Sequence, residues 1–234
     1  MAVRVVRLGT PRRAGQRMHI LFDLDGTVTD SFMAIRVTVE RTLLDLGADP
    51  TPDDHLRGLV GAPLAEVFRH VLGPSRLELV EPAVARYRVL FDEIGMPHVR
   101  LFTGIGDALE ALKGRGHLMK LVTARGAPSA RLIVEQLGLG RYFEQIYAPD
   151  RTHQNYDKAD FVRLAMTDAR AAPQATVMVG DRADDVRAGR AHGAFTIGVE
   201  WGNGSRAELE AAGAHAVIQR VEDLVPLVES LCAV

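Results

Sequence analysis

The apolar positions of this chain fall into short runs and helical stripes. Ile20-Leu21-Phe22 is a compact apolar run of the kind a buried parallel strand makes. It gives out at Asp23-Leu24-Asp25, where Gly26 permits a sharp change of direction. Residues 32–46 then repeat apolar side chains at helical spacing (Ile35, Val39, Leu43, Leu46) and stop at Gly47, a helix terminator. Further helices are predicted at 53–60, 64–72, 75–81 and 82–94, with no strand pattern between 32 and 97. From 98 onward strand and helix patterns alternate. Helices are predicted at 106–113, 128–137, 156–169, 183–192, 205–212 and 221–231, and strands at 118–123, 143–148, 175–180, 194–199 and 215–218.

Alternation with short connections implies an α/β fold, a Rossmann-like parallel sheet covered by helices on both faces. The expected organisation is a core of 18–31 and 98–234, a small all-helical cap at 32–97 inserted after the first strand, and a basic extension at 1–17. Ligands of such sheets bind at the carboxyl ends of the strands.

Charge sharpens this picture. The chain has 28 basic and 30 acidic residues, but Arg4, Arg7, Arg12, Arg13 and Arg17 crowd into 1–17 with no acid beside them. The remainder therefore has 23 basic residues against 30 acidic, a formal −7. An acidic body argues against nucleic acid as a partner. No apolar run approaches the roughly 20 residues of a membrane helix, so no membrane partner is expected. The basic head lacks the apolar stretch of a secretory signal. It is expected to be disordered, with translation starting in effect at Met18. A single cysteine, Cys232, cannot form an internal disulfide, which fits a reducing, cytoplasmic setting.

Four strand ends carry polar residues that a purely structural sheet would not require. Asp23 and Asp25, two apart on an extended chain, face one small volume. There they share a proton or hold a cation between them, unless they simply make an Asp-Gly turn. Thr123 ends an apolar strand with a hydroxyl and following N–H groups suited to an anion, or is a β-branched strand residue and no more. Lys158 stands at a helix start, where the macrodipole disfavours a cation, so it is either a solvated lysine or held for another reason. Val177-Met178-Val179-Gly180 runs into Asp181, Asp184 and Asp185, one of the last two being expected to cap the next helix.

Taken together, Asp23-Leu24-Asp25-Gly26-Thr27, Thr123, Lys158 and Gly180-Asp181-Arg182-Ala183-Asp184-Asp185 resemble the four motifs of the haloacid dehalogenase superfamily. Over about 18–232 the chain is similar to the phosphoglycolate phosphatase-like members with a helical cap. The stretch Gly198 to Ser205, followed by Glu208-Leu209, is similar to a segment common among these phosphatases. The resemblance implies an aspartyl-phosphate mechanism with Asp23 as nucleophile and Asp25 as acid and base. It implies Mg²⁺ held by Asp23, the backbone carbonyl of Asp25 and Asp181, with Asp185 as a direct ligand or the holder of a metal-bound water, and a phosphoryl group bound by Thr123, Ala124 and Lys158. Thr-Ala-Arg in the second motif and Lys158-Ala159 in the third depart from the commonest pattern, and Lys-Ala resembles the branch acting on nucleotides and other phosphorylated targets.

The cap's expected specificity element is 57–64, where Arg57 pairs with an anionic substrate group or is merely solvated. A Mg²⁺-dependent phosphomonoesterase for a small phosphorylated metabolite, monomeric or homodimeric, is the leading expectation. The alternatives are a 5'-nucleotidase-type phosphatase, a phosphosugar mutase and a non-catalytic regulator that retains the fold. A dehalogenase is disfavoured because those relatives lack the second acid, here Asp25.

Overall fold

A computed structural model describes residues 17–150 and 157–232. The basic residues at 1–16 lie outside it, and so does the expectation that this head is disordered. Strand β1 (His19–Phe22) opens the fold. The inserted segment follows as β2 (Thr29–Asp30), α1 (Phe32–Asp45), α2 (Asp53–Leu59), α3 (Leu64–Leu72), α4 (Val80–Leu90) and β3 (Arg100–Leu101). The alternating part contains α5 (Ile105–Gly114), β4 (Leu118–Val122), α6 (Ala127–Gln136), β5 (Phe143–Tyr147) and α7 (Lys158–Ala169). It ends with β6 (Thr176–Gly180), α8 (Ala183–Ala191), β7 (Phe195–Val199), α9 (Arg206–Ala211), β8 (Ala216–Ile218) and α10 (Leu224–Cys232).

The chain divides into two compact units, one of residues 29–100 and one made of the rest. In the larger unit six strands form a parallel sheet in the order β5-β4-β1-β6-β7-β8. The central strand is apolar throughout its buried length because helices cover both faces. Ile20, Leu21 and Phe22 are at most 1% exposed. The order runs outward from β1 through β4 to β5, then returns to the other side of β1 at β6. That reversal makes the carboxyl end of β1 a topological switch point, where open α/β sheets bind ligands. Phe22 pairs with Leu121 on one side and Val179 on the other. Asp23, Thr123 and Asp181, one or two residues further along each strand, therefore emerge at the same edge.

The smaller unit is helical apart from its two-residue ribbon of β2 and β3, which is too short to leave a periodic signal in sequence. Two of its predicted helices take different forms. Pro74–Leu79 is a 3₁₀ turn, broken at Arg76 (φ −134°, ψ 31°), instead of an α-helix over 75–81. The helix expected over 82–94 is regular only to Leu90 and widens into a π turn at Phe91–Gly95. Gly95 lies close against α1, where a Cβ would come within 2.6 Å of Thr38 Oγ1 and 2.9 Å of Phe91 Cδ2. Among the described residues no helix is long and apolar enough to cross a membrane.

Candidate active site

The site is built where β1 and β6 end. The Asp23 N–H continues the sheet ladder by donating to the Val179 carbonyl at 2.9 Å, which fixes the first carboxylate at the switch point. Gly26 then turns the chain with φ +89°, and a Cβ there would collide with the Asp181 carboxylate. Only glycine meets both conditions. Gly180 plays a similar part at the end of β6, since a Cβ would strike the Asp185 side chain.

Asp185 comes back to this edge on the first turn of α8. Its Oδ2 accepts the Arg182 N–H at 3.0 Å, satisfying a helix-end donor, while Oδ1 accepts from Lys158 Nζ at 2.6 Å. Asp184 is exposed and pairs with Arg187 instead. Asp185 is thus the cap-forming acid of the two expected, and its second oxygen is committed to the site.

The lysine at an electrostatically poor place is accounted for by the same contacts. Lys158 is the first residue of α7, whose N-cap Asp157 accepts the Ala159 N–H at 2.9 Å. Its ammonium reaches Asp23 Oδ1 at 3.0 Å as well as Asp185. Burial alone would lower the lysine pKa, but Asp185 and Asp23 raise it, so the group stays charged.

Asp23, Asp181 and Asp185 are 3%, 0% and 1% exposed, and each offers a carboxylate oxygen within 4.8 Å of the others. Burial pushes the Asp23 carboxyl well above the usual range; Lys158 opposes this, and Asp185, Asp181 and Asp25 add to it. Asp181 is pushed up to about 6, chiefly by burial and then by Asp185, against donation from the Asn203 backbone. Three buried carboxylates facing one lysine leave an excess of negative charge. An all-oxygen, all-carboxylate donor set suits a hard divalent cation.

A second grouping, His117 with Glu229 and Cys232, does not suit a metal. His117 Nδ1 accepts the Met18 N–H at 3.1 Å, so Nε2 carries the ring proton and donates to Glu229 at 2.8 Å. That nitrogen has no lone pair to offer.

Asp25 does not join the carboxylate cluster with its side chain. Arg125 grips it with both arms, Nε to Oδ2 at 2.6 Å and Nη2 to Oδ1 at 2.9 Å. The two acids of the first motif therefore each have their own cation, Lys158 for Asp23 and Arg125 for Asp25. Thr123, 1% exposed, accepts the Arg125 N–H on its hydroxyl oxygen at 3.1 Å, and Ala124 follows it at the end of β4. Arg57 belongs to the smaller unit, on the last turn of α2, where its guanidinium lies 3.6 Å over the Phe32 ring.

The contacts of Arg125, Asn203 and Glu208 had no role assigned from sequence. Asn203 donates to Asp181 Oδ2 from its backbone at 2.7 Å and its amide at 3.4 Å, and Thr27 donates its hydroxyl to Oδ1 at 3.3 Å. Gly202 and Gly204 on either side let this loop lie directly on Gly26 and Asp181, where any Cβ would clash with backbone. Glu208 accepts the Ala183 N–H at 2.8 Å and Arg182 Nε at 3.0 Å, tying α9 to the start of α8. The Gly-Asn-Gly spacing was the available signal for close backbone approach.

With this geometry in hand, comparison with known proteins is decisive about ancestry. A model of the haloacid dehalogenase-like hydrolase family matches residues 20–199. The chain belongs to that family. It is 35% identical to a 5'-nucleotidase of Pseudomonas aeruginosa over 193 residues, 82% of this chain and 87% of that protein. The solved structure of protein tyrosine kinase A from Mycobacterium tuberculosis superposes with a TM-score of 0.79 at 30% identity, covering 91% of this chain and 98% of that one. A phosphoglycolate phosphatase of Pseudomonas putida is 28% identical over 213 residues, 88% of this chain and 78% of that protein. The family's hydrolase core and the parallel sheet expected from the alternating pattern are thus both present.

The raised Asp181 carboxyl makes a measurable difference to folding. A group whose pKa rises on folding, here from 3.8 to about 6, contributes stability that is present below pH 4 and lost as pH climbs through 6. About two pKa units correspond to roughly 3 kcal/mol. In chelator, Asp181→Asn escapes that loss, so its stability relative to the parent should improve by up to that amount between pH 4.5 and 7.5. Urea unfolding at the two pH values measures it, and a pH-independent difference would contradict the assignment.

Proposed function

We propose that this chain is a Mg²⁺-dependent phosphomonoesterase acting on a small phosphorylated metabolite through an aspartyl-phosphate intermediate. The observation that carries the reading is the Lys158 ammonium bridging Asp23 and Asp185 while Asp181 closes a three-carboxylate cluster around them. Asp23 Oδ attacks phosphorus in line, the P–O bond to the leaving group breaks, and the leaving oxygen takes a proton from Asp25. Water then attacks the acyl phosphate, giving its proton to Asp25 and releasing orthophosphate with Asp23 restored. Lys158 holds Asp23 in position and offsets charge, and Thr123 with the Ala124 N–H binds phosphoryl oxygens.

Asp23, Asp181 and Asp185, with the Asp25 carbonyl, would hold the metal, which supplies charge neutralisation between the carboxylates and the phosphoryl group. Nucleoside monophosphates are the first substrates to try, because the 5'-nucleotidase relative is more similar than the phosphoglycolate phosphatase. Such substrates fit an enzyme of the cytoplasm.

The test is release of p-nitrophenol from its phosphate ester, with Mg²⁺ and with EDTA, followed by a metabolite panel. Chelation should lower the rate at least about a hundredfold, with recovery on adding Mg²⁺, in line with the several kcal/mol such an ion contributes to the transition state. A rate indifferent to EDTA would overturn the reading.

A further inference from the structure

The Arg125–Asp25 pair is the best-formed charge pair of the site and the one the proposed reaction cannot leave alone. Both side chains are 9% exposed, both carboxylate oxygens accept from one guanidinium, and Nη1 of the same arginine donates to Ser129 Oγ at 3.1 Å. Bidentate pairing of this kind is geometrically specific and strong in a buried setting. Each oxygen of Asp25 thus already carries an N–H donor of Arg125.

Among the described residues, two other cations of this site are committed elsewhere. Lys158 is held between Asp23 and Asp185, and Arg182 donates to Glu208 on α9. A phosphoryl dianion arriving beside Asp25 adds two negative charges next to a carboxylate already gripped by a single arginine. Guanidinium binds phosphate as it binds carboxylate, by the same two-pronged fork.

Resting on the hydrolase reading above, we infer that Arg125 is a substrate-displaced clamp: it holds Asp25 in the free enzyme and transfers to the phosphoryl oxygens when substrate binds, releasing the carboxylate to take a proton from water and pass it to the leaving oxygen. Ser129 anchors the guanidinium through Nη1, so the transfer is a swing about a fixed point. The arrangement couples release of Asp25 to the presence of a phosphate group. It also gives the arginine of the Thr-Ala-Arg motif a part in substrate binding as well as in positioning.

The structure of the holoenzyme with Mg²⁺ and orthovanadate, together with orthophosphate inhibition of p-nitrophenyl phosphate hydrolysis, tests this. In the vanadate complex Arg125 should lie within hydrogen-bond distance of a vanadate oxygen, with its bidentate grip on Asp25 opened. Arg125→Gln should raise the orthophosphate inhibition constant and KM about tenfold or more. Arg125→Lys, which keeps charge without the fork, should recover part of the loss. Circular dichroism and the thermal midpoint establish that both variants fold; if Arg125→Gln does not, Arg125→Lys and the vanadate structure still decide. A retained Arg125–Asp25 pair in the vanadate complex, or inhibition unchanged in the variants, overturns the clamp alone. Wild-type enzyme that does not hydrolyse the ester overturns the hydrolase reading and the clamp with it.

Discussion

Asp23→Asn is expected to lower metal-dependent hydrolysis of p-nitrophenyl phosphate by about 10⁴-fold or more, as removal of a covalent nucleophile does elsewhere. The amide is isosteric and a far weaker nucleophile, so the loss should fall on kcat. Folding should survive, because the substitution removes a charge that is costly where it stands. Asp23 is buried, and its carboxyl is raised well above the usual range by that burial, with Asp185, Asp181 and Asp25 adding to it. In chelator the variant should be at least as stable as the parent at pH 7.5, with the advantage shrinking toward pH 4, where the parent's carboxyl is protonated. Stopped-time assays and urea unfolding measure the two effects. Activity within tenfold of the parent would take Asp23 out of the chemistry, and a variant less stable at pH 7.5 would contradict the electrostatic reading.

Lys158→Met is expected to damage both folding and turnover. The methionine keeps the length of the stem but removes the only ammonium within reach of Asp23 and Asp185 among the described residues. Breaking a buried pair from one side costs about 3–5 kcal/mol, because the partner charges are left without compensation. That loss should appear at pH 8 in EDTA and diminish on acidification, as the carboxylates take up protons. Mg²⁺ should restore part of it, since a cation held by Asp23, Asp181 and Asp185 substitutes for the missing charge. Turnover should remain at least about a hundredfold down even with metal, because positioned charge at the reacting group is lost. A variant as stable as the parent at pH 8 without metal would mean that the ammonium does not balance the cluster.

Asp23, Asp25 and Asp181 could be picked out in sequence because they stand where an apolar strand gives out and a parallel sheet presents its ligand edge, while Asp185 was told from Asp184 only by the family resemblance. Lys158 stood out for the opposite reason, as a cation at a helix start. The structure shows why it is there: two carboxylates from β1 and α8 outweigh an unfavourable helix dipole of some tenths of a kcal/mol. Asp25 was legible as an acid but not by its partner. Arg125 lies 100 positions away, and the contact exists only because β1 and β4 are neighbours. The same holds for Asn203 on Asp181, 22 residues apart and joined by a loop whose glycines hint at close approach without saying to what. In the inserted segment the apolar spacing marked helices correctly but not their type. The 3₁₀ turn after Pro74 and the π turn at Phe91–Gly95 depend on packing that periodicity does not encode.

The sequence alone determined the alternation of strand and helix, the carboxyl edge as the place for chemistry, and the residue types gathered there. Those are local properties, carried by apolar periodicity and by polar residues at strand ends. The tertiary structure decided which charge faces which: Lys158 with Asp23 and Asp185, Arg125 with Asp25, and Asn203 with Asp181. Pairing of that kind is settled by strand order and helix docking, which bring together groups that nothing in their local sequence connects.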